Sequence, residues 1–273
     1  MSISKLDFDY VRGVVRDKAA IVLDDNKEYL VEMRLSSLAD QQGLPGVTEL
    51  IRDVRDHGNR PLAELMVEAM TTNETSFFRD RHPFDALRDK VLPELLGARS
   101  NQRSLKIWCA AASTGQEPYS LAMLLSQALV GKGHWDAKIL GTDISPEVLE
   151  KAKSGSYSQH EVSRGLPASN LVRHFRRDGL DWVVKDDLKA MCEFRRLNLI
   201  EPWAGLPTFD VIFIRNVLIY FDTDVRRTIL ETARKHLAPD GYLFLGGSET
   251  LLGLGLDYNR VNLGPVSAYQ LAP

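Results

Sequence analysis

The sequence holds only two cysteines, Cys109 and Cys192. There is no CxxC and no other zinc spacing, which excludes a zinc ribbon and a disulfide framework; no metal site is expected. Two thiols in a chain of 273 residues suit a reducing compartment, and both read as buried. Long hydrophobic runs are also missing. VIFI (211–214) and VLIYF (217–221) fall far short of the ~20 residues of a membrane span. MSISKLDFDY puts Asp7 and Asp9 where a secretory leader needs an apolar core. A cytoplasmic protein with no direct membrane insertion is expected. Nor is there an excess of one charge: Lys+Arg is 34 and Asp+Glu 37, for a net charge of −3. With no basic–aromatic stripe either, nucleic acid is not expected as a partner. What is present, 44% apolar and 26% charged residues, is globular composition and excludes a disordered chain.

The chain changes texture along its length. Residues 1–72 read as helices only. Phe8, Val11, Val14 and Val15 recur at helical spacing, as do Leu30, Val31, Leu35 and Leu38. Two shorter helices are expected over 48–55 and 61–70, the second opening on Pro61. A linker, TTNETSFFRDRH (71–82), precedes a bridging helix that starts near Pro83. From about 104, short apolar strands alternate with helices. LKIWCAA (105–111), AKILGTD (137–143), FDVIFIRN (209–216) and YLFLGG (242–247) are strands; 117–129, 145–153 and 224–237 are helices. That alternation predicts an α/β fold, a Rossmann-like parallel sheet with helices on both faces. YNRVNL, Gly264–Pro265 and VSAYQL read as a hairpin closing one edge. Residues 171–197 break the alternation. LVRHFRR, LDWVVK and MCEFRRLN around Asp178–Gly179 read as a small inserted antiparallel β-subdomain. The expected domains are 1–72, helical; 73–97, linker and bridging helix; and 98–273, the α/β domain.

Ligands of open α/β sheets bind beyond the carboxyl ends of the strands. The first strand ends in AAASTGQEP (110–118), where small residues and Gly115 allow close backbone approach. Neither GxGxxG nor GxxxxGK[ST] is present, and no lysine stands in the turn to meet a phosphate. Glu117 follows instead. Its placement suits a cationic ligand, or simply a helix dipole, and this turn alone leaves both open. Asp143, at the tip of the second strand, suits ribose hydroxyls; the alternative, a helix cap, already has Ser145 as its candidate. Arg215, Asn216 and Tyr220 are polar groups following a run of buried hydrophobes, poorly explained by packing. Asn198 in RLNLIEPW stands where adenine contacts would fall, although a turn asparagine explains it alone. In the linker, Phe77 and Phe78 read as a staple between the helical domain and the sheet, which leaves Asn73, Thr75 and Arg79 for a cleft. The pattern is a nucleoside without phosphate plus a positive charge. S-adenosylmethionine has both.

TTNETSFFRD, CAAASTGQEPYSLAM, GTDISPEVLEKA, RRLNL, FDVIFIRNVLIYF and GYLFLGGSE, in this order behind a helical domain, resemble the CheR family of chemotaxis methyltransferases over nearly the whole chain. The resemblance implies a helical amino-terminal domain, a class I methyltransferase sheet and a β-subdomain that meets receptor. It implies methyl transfer from S-adenosylmethionine, with S-adenosylhomocysteine as product, to glutamate carboxylates on the cytoplasmic helical bundle of membrane chemoreceptors. Family cofactor contacts fall on Asn73, Thr75, Arg79, Glu117, Asp143, Asn198, Leu199, Arg215 and Asn216; Arg79 and Tyr220 match the pair given a catalytic role. The six scattered histidines fit such chemistry, because a glutamate of pKa about 4.3 is already ionised at pH 7 and needs no base. Two departures bear on partners and one on the turn. Residues 27–42 offer only Lys27 and Arg34, so no strongly basic docking face is expected. The turn within FRRDGLDW (175–182) is short, so no tight binding of a receptor C-terminal pentapeptide is expected. Gln116 stands where a second glutamate is common, and is expected to be tolerated. The alternative function is a non-catalytic S-adenosylmethionine sensor of the same fold, against which Arg79 and Tyr220 argue; a nicotinamide oxidoreductase is disfavoured by the missing GxGxxG.

Overall fold

The structure is a computed structural model describing residues 3–272. In chain order the elements are α1 (Lys5–Ala19), α2 (Glu28–Gln41), α3 (Val47–His57), α4 (Arg60–Met70), α5 (His82–Ala86), a π turn (Leu87–Val91), α6 (Leu92–Ala98), β1 (Ser104–Ala110), α7 (Gln116–Ala128), β2 (Asp136–Asp143), α8 (Pro146–Ser154), β3 (Ser156–Tyr157), α9 (Gln159–Ser163), α10 (Ala168–His174), β4 (Phe175–Asp178), β5 (Asp181–Val184), α11 (Asp186–Lys189), β6 (Cys192–Arg196), β7 (Phe209–Ile214), a 3-10 turn (Leu218–Tyr220), α12 (Thr223–His236), β8 (Leu237–Leu245), β9 (Tyr258–Asn262) and β10 (Ser267–Leu271). They form two compact units. One is the chain up to Thr72 together with Tyr220–Arg226; the other is Asn73–Ile219 with the chain from Arg227.

The helical unit follows from its apolar periodicity. α1 buries Phe8, Val11, Val15 and Ala19, one stripe of a 3.6-residue repeat, and the Ser4 side chain caps it by accepting from the Asp7 N–H. α4 opens on Asn59, whose side chain accepts from the Leu62 N–H, with Pro61 in its first turn. Arg34 of α2 is turned inward: it donates to the Ala69 and Thr71 carbonyls and to Thr72 Oγ1.

The second unit is built on a seven-stranded sheet in the order β6-β2-β1-β7-β8-β10-β9. Pairing is parallel from β6 through β8 and antiparallel at β8/β10 and β10/β9, so the expected C-terminal hairpin does close one edge. From central β1 the chain runs outward to β2 and then restarts on the other side at β7. The order therefore reverses between β1 and β7, and open α/β sheets take their ligands in the crevice beyond the strand ends at such a point. Trp108, Cys109, Ile139, Ile212 and Phe213 are fully buried in these strands.

The 171–197 reading needs three corrections. MCEFRRLN does not join an antiparallel insert: β6 pairs in parallel with β2 at the edge of the main sheet. Its half-buried pattern is that of an edge strand, and the long connection from β2, residues 144–191 with α8 in it, supplies the crossover that makes a parallel return possible. LVRH is the end of α10 rather than a strand; a segment this short satisfies either periodicity. The third strand of the small sheet, order β3-β5-β4, is Ser156–Tyr157, far upstream of the expected insert. Two further expectations are adjusted. Cys109 is buried, but Cys192, opening edge strand β6, is only partly so. Phe77 is buried edge-on against Tyr157 and Phe175, and Phe78 meets Phe84, all within the sheet unit.

Candidate functional site

The turn after β1 bends sharply. Ala111, Ser113 and Gly115 all have positive φ, at 56°, 50° and 94°. Only glycine fits at position 115: a Cβ there would lie 2.9 Å from both the Ala152 Cβ and the Tyr157 hydroxyl. That hydroxyl donates to the Thr114 carbonyl at 2.7 Å and clamps the turn from below. The Ser113 N–H donates to Asp143 Oδ2 at 2.8 Å, and Ser113 Oγ donates to the Asn73 carbonyl at 2.8 Å. One serine thus joins the tip of β2 and the start of the linker to the end of β1. Asp143 also accepts from the Ser145 N–H at 3.1 Å, while the Ser145 side chain caps α8 by accepting from Val148. The cap belongs to Ser145, and Asp143 is the acid of the strand tip. The Leu197 N–H donates to the Asp143 carbonyl, which brings Asn198 and Leu199 to the same rim. There Asn198 closes a local turn, accepting from Ile200 and donating to Glu201, and the Leu199 carbonyl accepts from the Trp203 indole.

The other side of the crevice is charged. The Arg215 side chain is 1% exposed and bridges Glu117 at 2.5 Å and Asp80 at 2.7 Å. It also donates to the Arg79 carbonyl at 3.0 Å, and its guanidinium lies over the Phe84 ring. Burial pushes the Glu117 carboxyl above its ordinary value, opposed mainly by Arg215 and secondarily by Arg79. Arg79 donates to the Glu74 carbonyl at 2.7 Å, which curls the linker around half-buried Thr75. Gln116 is buried and its side-chain oxygen accepts from Thr114, a bond that an amide makes as well as a carboxylate does. Asn216 follows Arg215 with a φ of 57°, and the peptide N–H groups of 216, 217 and 218 all donate to Glu249.

The structure therefore links Asn73, Asp143, Asn198 and Leu199 through one set of bonds and Arg79, Glu117 and Arg215 through another, all at the carboxyl ends of β1, β2, β6 and β7. Tyr220 ends the 3-10 turn beyond β7 and groups with the helical unit, where its carbonyl accepts from Val22; Arg79 belongs to the sheet unit. Sequence reasoning overlooked Ser113, Asp80 and Glu249, although each lies in a quoted motif: Ser113 in AAASTGQEP, Asp80 at the end of TTNETSFFRD and Glu249 at the end of GYLFLGGSE.

The residues fit an adenosyl sulfonium: a sharp strand-end turn held by Gly115, an acid at the tip of β2, and a near-buried carboxylate rather than a lysine at the mouth of α7. Residues 6–71 match the family model described as CheR methyltransferase, all-alpha domain, and residues 73–263 match CheR methyltransferase, SAM binding domain. The chain belongs to the CheR methyltransferase family. All the site residues above, from Asn73 to Glu249, lie inside the span matched to the CheR SAM-binding domain. Among relatives, it is 41% identical to the chemotaxis protein methyltransferase Cher2 of Pseudomonas putida, covering 99% of each chain. It is 43% identical to chemotaxis protein methyltransferase 1 of Pseudomonas aeruginosa, again over 99% of each. The chemotaxis protein methyltransferase of Salmonella typhimurium is 36% identical, over 95% of this chain and 88% of that one. As a CheR protein the chain is a methyltransferase whose cofactor is S-adenosylmethionine, and the residues that would hold it are those of the crevice. Among the described residues no helix is long and apolar enough to cross a membrane.

Proposed function

We propose that this CheR protein methylates glutamate side chains on the cytoplasmic helical bundle of chemoreceptors, working in the cytoplasm and forming γ-methyl esters. The observation that carries the reading is the set of side chains gathered at the strand ends. Glu117 opens α7 at the turn where a phosphate-binding enzyme would present a glycine–lysine loop, and Asp143 stands at the tip of β2. Asp143 suits a ribose and Glu117 a cationic centre, with Asn73, Thr75, Asn198, Leu199 and Asn216 as further contacts. Bound S-adenosylmethionine supplies an electrophilic methyl group. The chain's own work is then placement. A substrate carboxylate is ionised at neutral pH, so nothing need remove a proton. Arg79 orients that carboxylate through its guanidinium fork and Tyr220 through its hydroxyl. The opposite charges of the two partners are lost in the transition state, so excluding water favours transfer. Arg79 must not hold the carboxylate too firmly, because equal binding of ground and transition states adds no rate.

Arg79→Ala and Tyr220→Phe are expected to lower kcat about ten-fold or more through lost placement, and to lower it more than they weaken S-adenosylhomocysteine binding; full turnover in both removes them from the catalytic step. The substrate is tested with radiolabelled cofactor and receptor cytoplasmic fragments. Base-labile label on a fragment identifies the ester, whereas alkali-stable label redirects the reading to nitrogen or another acceptor. The β4–β5 hairpin closes on two residues, Gly179 and Leu180, between the paired Asp178 and Asp181. That short turn supports weak binding, or none, of a receptor C-terminal pentapeptide, and a micromolar complex by calorimetry overturns it.

A further inference from the structure

Glu249 stands in the loop after β8, where the Glu249 N–H returns to the Gly246 carbonyl at 3.0 Å. This tight turn folds the side chain back toward the end of β7. There the carboxylate accepts four peptide N–H groups: Gly246 at 2.6 Å and Asn216 at 2.9 Å on Oε2, Val217 at 2.9 Å and Leu218 at 2.7 Å on Oε1. Three consecutive N–H groups converging on one point, with the first residue at positive φ, form a nest, a backbone concavity that attracts an anion. In this protein the chain's own carboxylate fills it. The approach is close: a Cβ on Gly246 would lie 2.6 Å from Glu249 Oε2 and 2.9 Å from the Asn216 nitrogen. Both oxygens accept two donors each, and among the described residues the side chain that those three N–H groups meet is Glu249.

The nest has a consequence for the crevice. Residues 216–218 join Arg215, locked between Glu117 and Asp80, to the turn that ends in Tyr220. Left alone, the three donors would face water or gather a solvent anion, and the backbone at Asn216 would be free to leave its left-handed conformation. We infer that Glu249 is a positioning residue for cofactor binding: its carboxylate holds the 216–218 turn, and with it Asn216, in the conformation that receives S-adenosylmethionine. The inference rests on the reading of Asn216 as a cofactor contact.

The test uses the full-length protein and S-adenosylhomocysteine, titrated by calorimetry, so that no methyl acceptor is needed. Glu249→Gln keeps the size but turns an NH2 group toward two of the four donors. Glu249→Asp keeps both acceptor oxygens on a shorter stem. Glu249→Gln is expected to raise the Kd at least ten-fold with the melting temperature within a few degrees of the parent. Glu249→Asp is expected to recover most of the affinity. If Glu249→Gln melts far lower, the comparison moves to Glu249→Asp, which should bind better than Glu249→Ala at equal melting temperature. A parental Kd in Glu249→Gln, or Glu249→Asp no better than Gln or Ala at equal stability, overturns the inference. Asn216→Ala is measured alongside. A parental Kd there refutes the reading of Asn216, whereas weak binding there with parental binding in Glu249→Gln refutes the role of Glu249 alone.

Discussion

Arg215 is an arginine almost without water, and its worth depends on its partners. Removing it leaves the nearly buried Glu117 carboxylate without its ion-pair partner, with only the weaker influence of Arg79, a change that typically costs about 3–5 kcal/mol. Arg215→Met is therefore expected to lower the unfolding free energy by about that much in a denaturant titration. Arg215→Lys keeps the charge but not the fork that reaches Glu117, Asp80 and the Arg79 carbonyl together, and should recover only part of the loss. Glu117 carries a pH signature. Its carboxyl titrates above the ordinary 4.5 because of burial. Protonation on acidification through that raised pKa stabilises the native state relative to the unfolded one, so this group does not drive acid unfolding. Binding runs the other way. A cationic cofactor favours the ionised carboxylate, so its affinity should fall as pH drops through the same range. Glu117→Gln is expected to bind S-adenosylmethionine more weakly at neutral pH and to lose this pH dependence. A Kd profile from pH 5 to 8 checks both.

At the scale of the element, the turn between β1 and α7 concentrates the most constraint. Gly115→Ala puts a methyl against both Ala152 and Tyr157 at a φ that side chains avoid. A loss of about 1–3 kcal/mol is expected, together with loss of cofactor binding, readable as a lower melting temperature and a flat titration. Tyr157→Phe removes only the clamp on the Thr114 carbonyl and leaves it unpaired, and should cost about 1–2 kcal/mol. Elements were legible wherever they were long and periodic. The helices of the first 70 residues, β1, β2, β7 and the closing hairpin stand where their apolar patterns put them. The failures were short pieces: β6, the end of α10 and the two-residue β3. Four or five residues fit a strand or a helical turn equally, and nothing local tells a parallel edge strand from an antiparallel one.

At the scale of the whole molecule, the chain enters the helical unit twice, once up to Thr72 and again at Tyr220–Arg226. Phe221, in the returning segment, is 6% exposed. A fragment of residues 73–273 keeps the segment but not its unit. It is expected to melt below the full-length protein and to bind a hydrophobic dye. Phe221→Ala in the full chain is expected to cost about 3 kcal/mol; an unchanged melting temperature in both would show that the segment contributes nothing. The family was legible from ordered motifs, and most of the candidate site could be proposed from them, because strand-end turns carry their chemistry in consecutive residues: Gly115 and Glu117 after β1, Asp143 after β2, Arg215 and Asn216 after β7.

The amino-acid order alone determined that the chain pairs a helical region with a parallel α/β sheet, and that acids rather than lysines line the strand ends. Periodicity and turn chemistry are local, so they can be read locally. The tertiary structure decided who meets whom. Glu117 and Arg215 are 98 positions apart and Asn216 and Glu249 33 apart, yet each pair shares hydrogen bonds. Such contacts form only once the sheet sets its strand order, and no local pattern encodes that order.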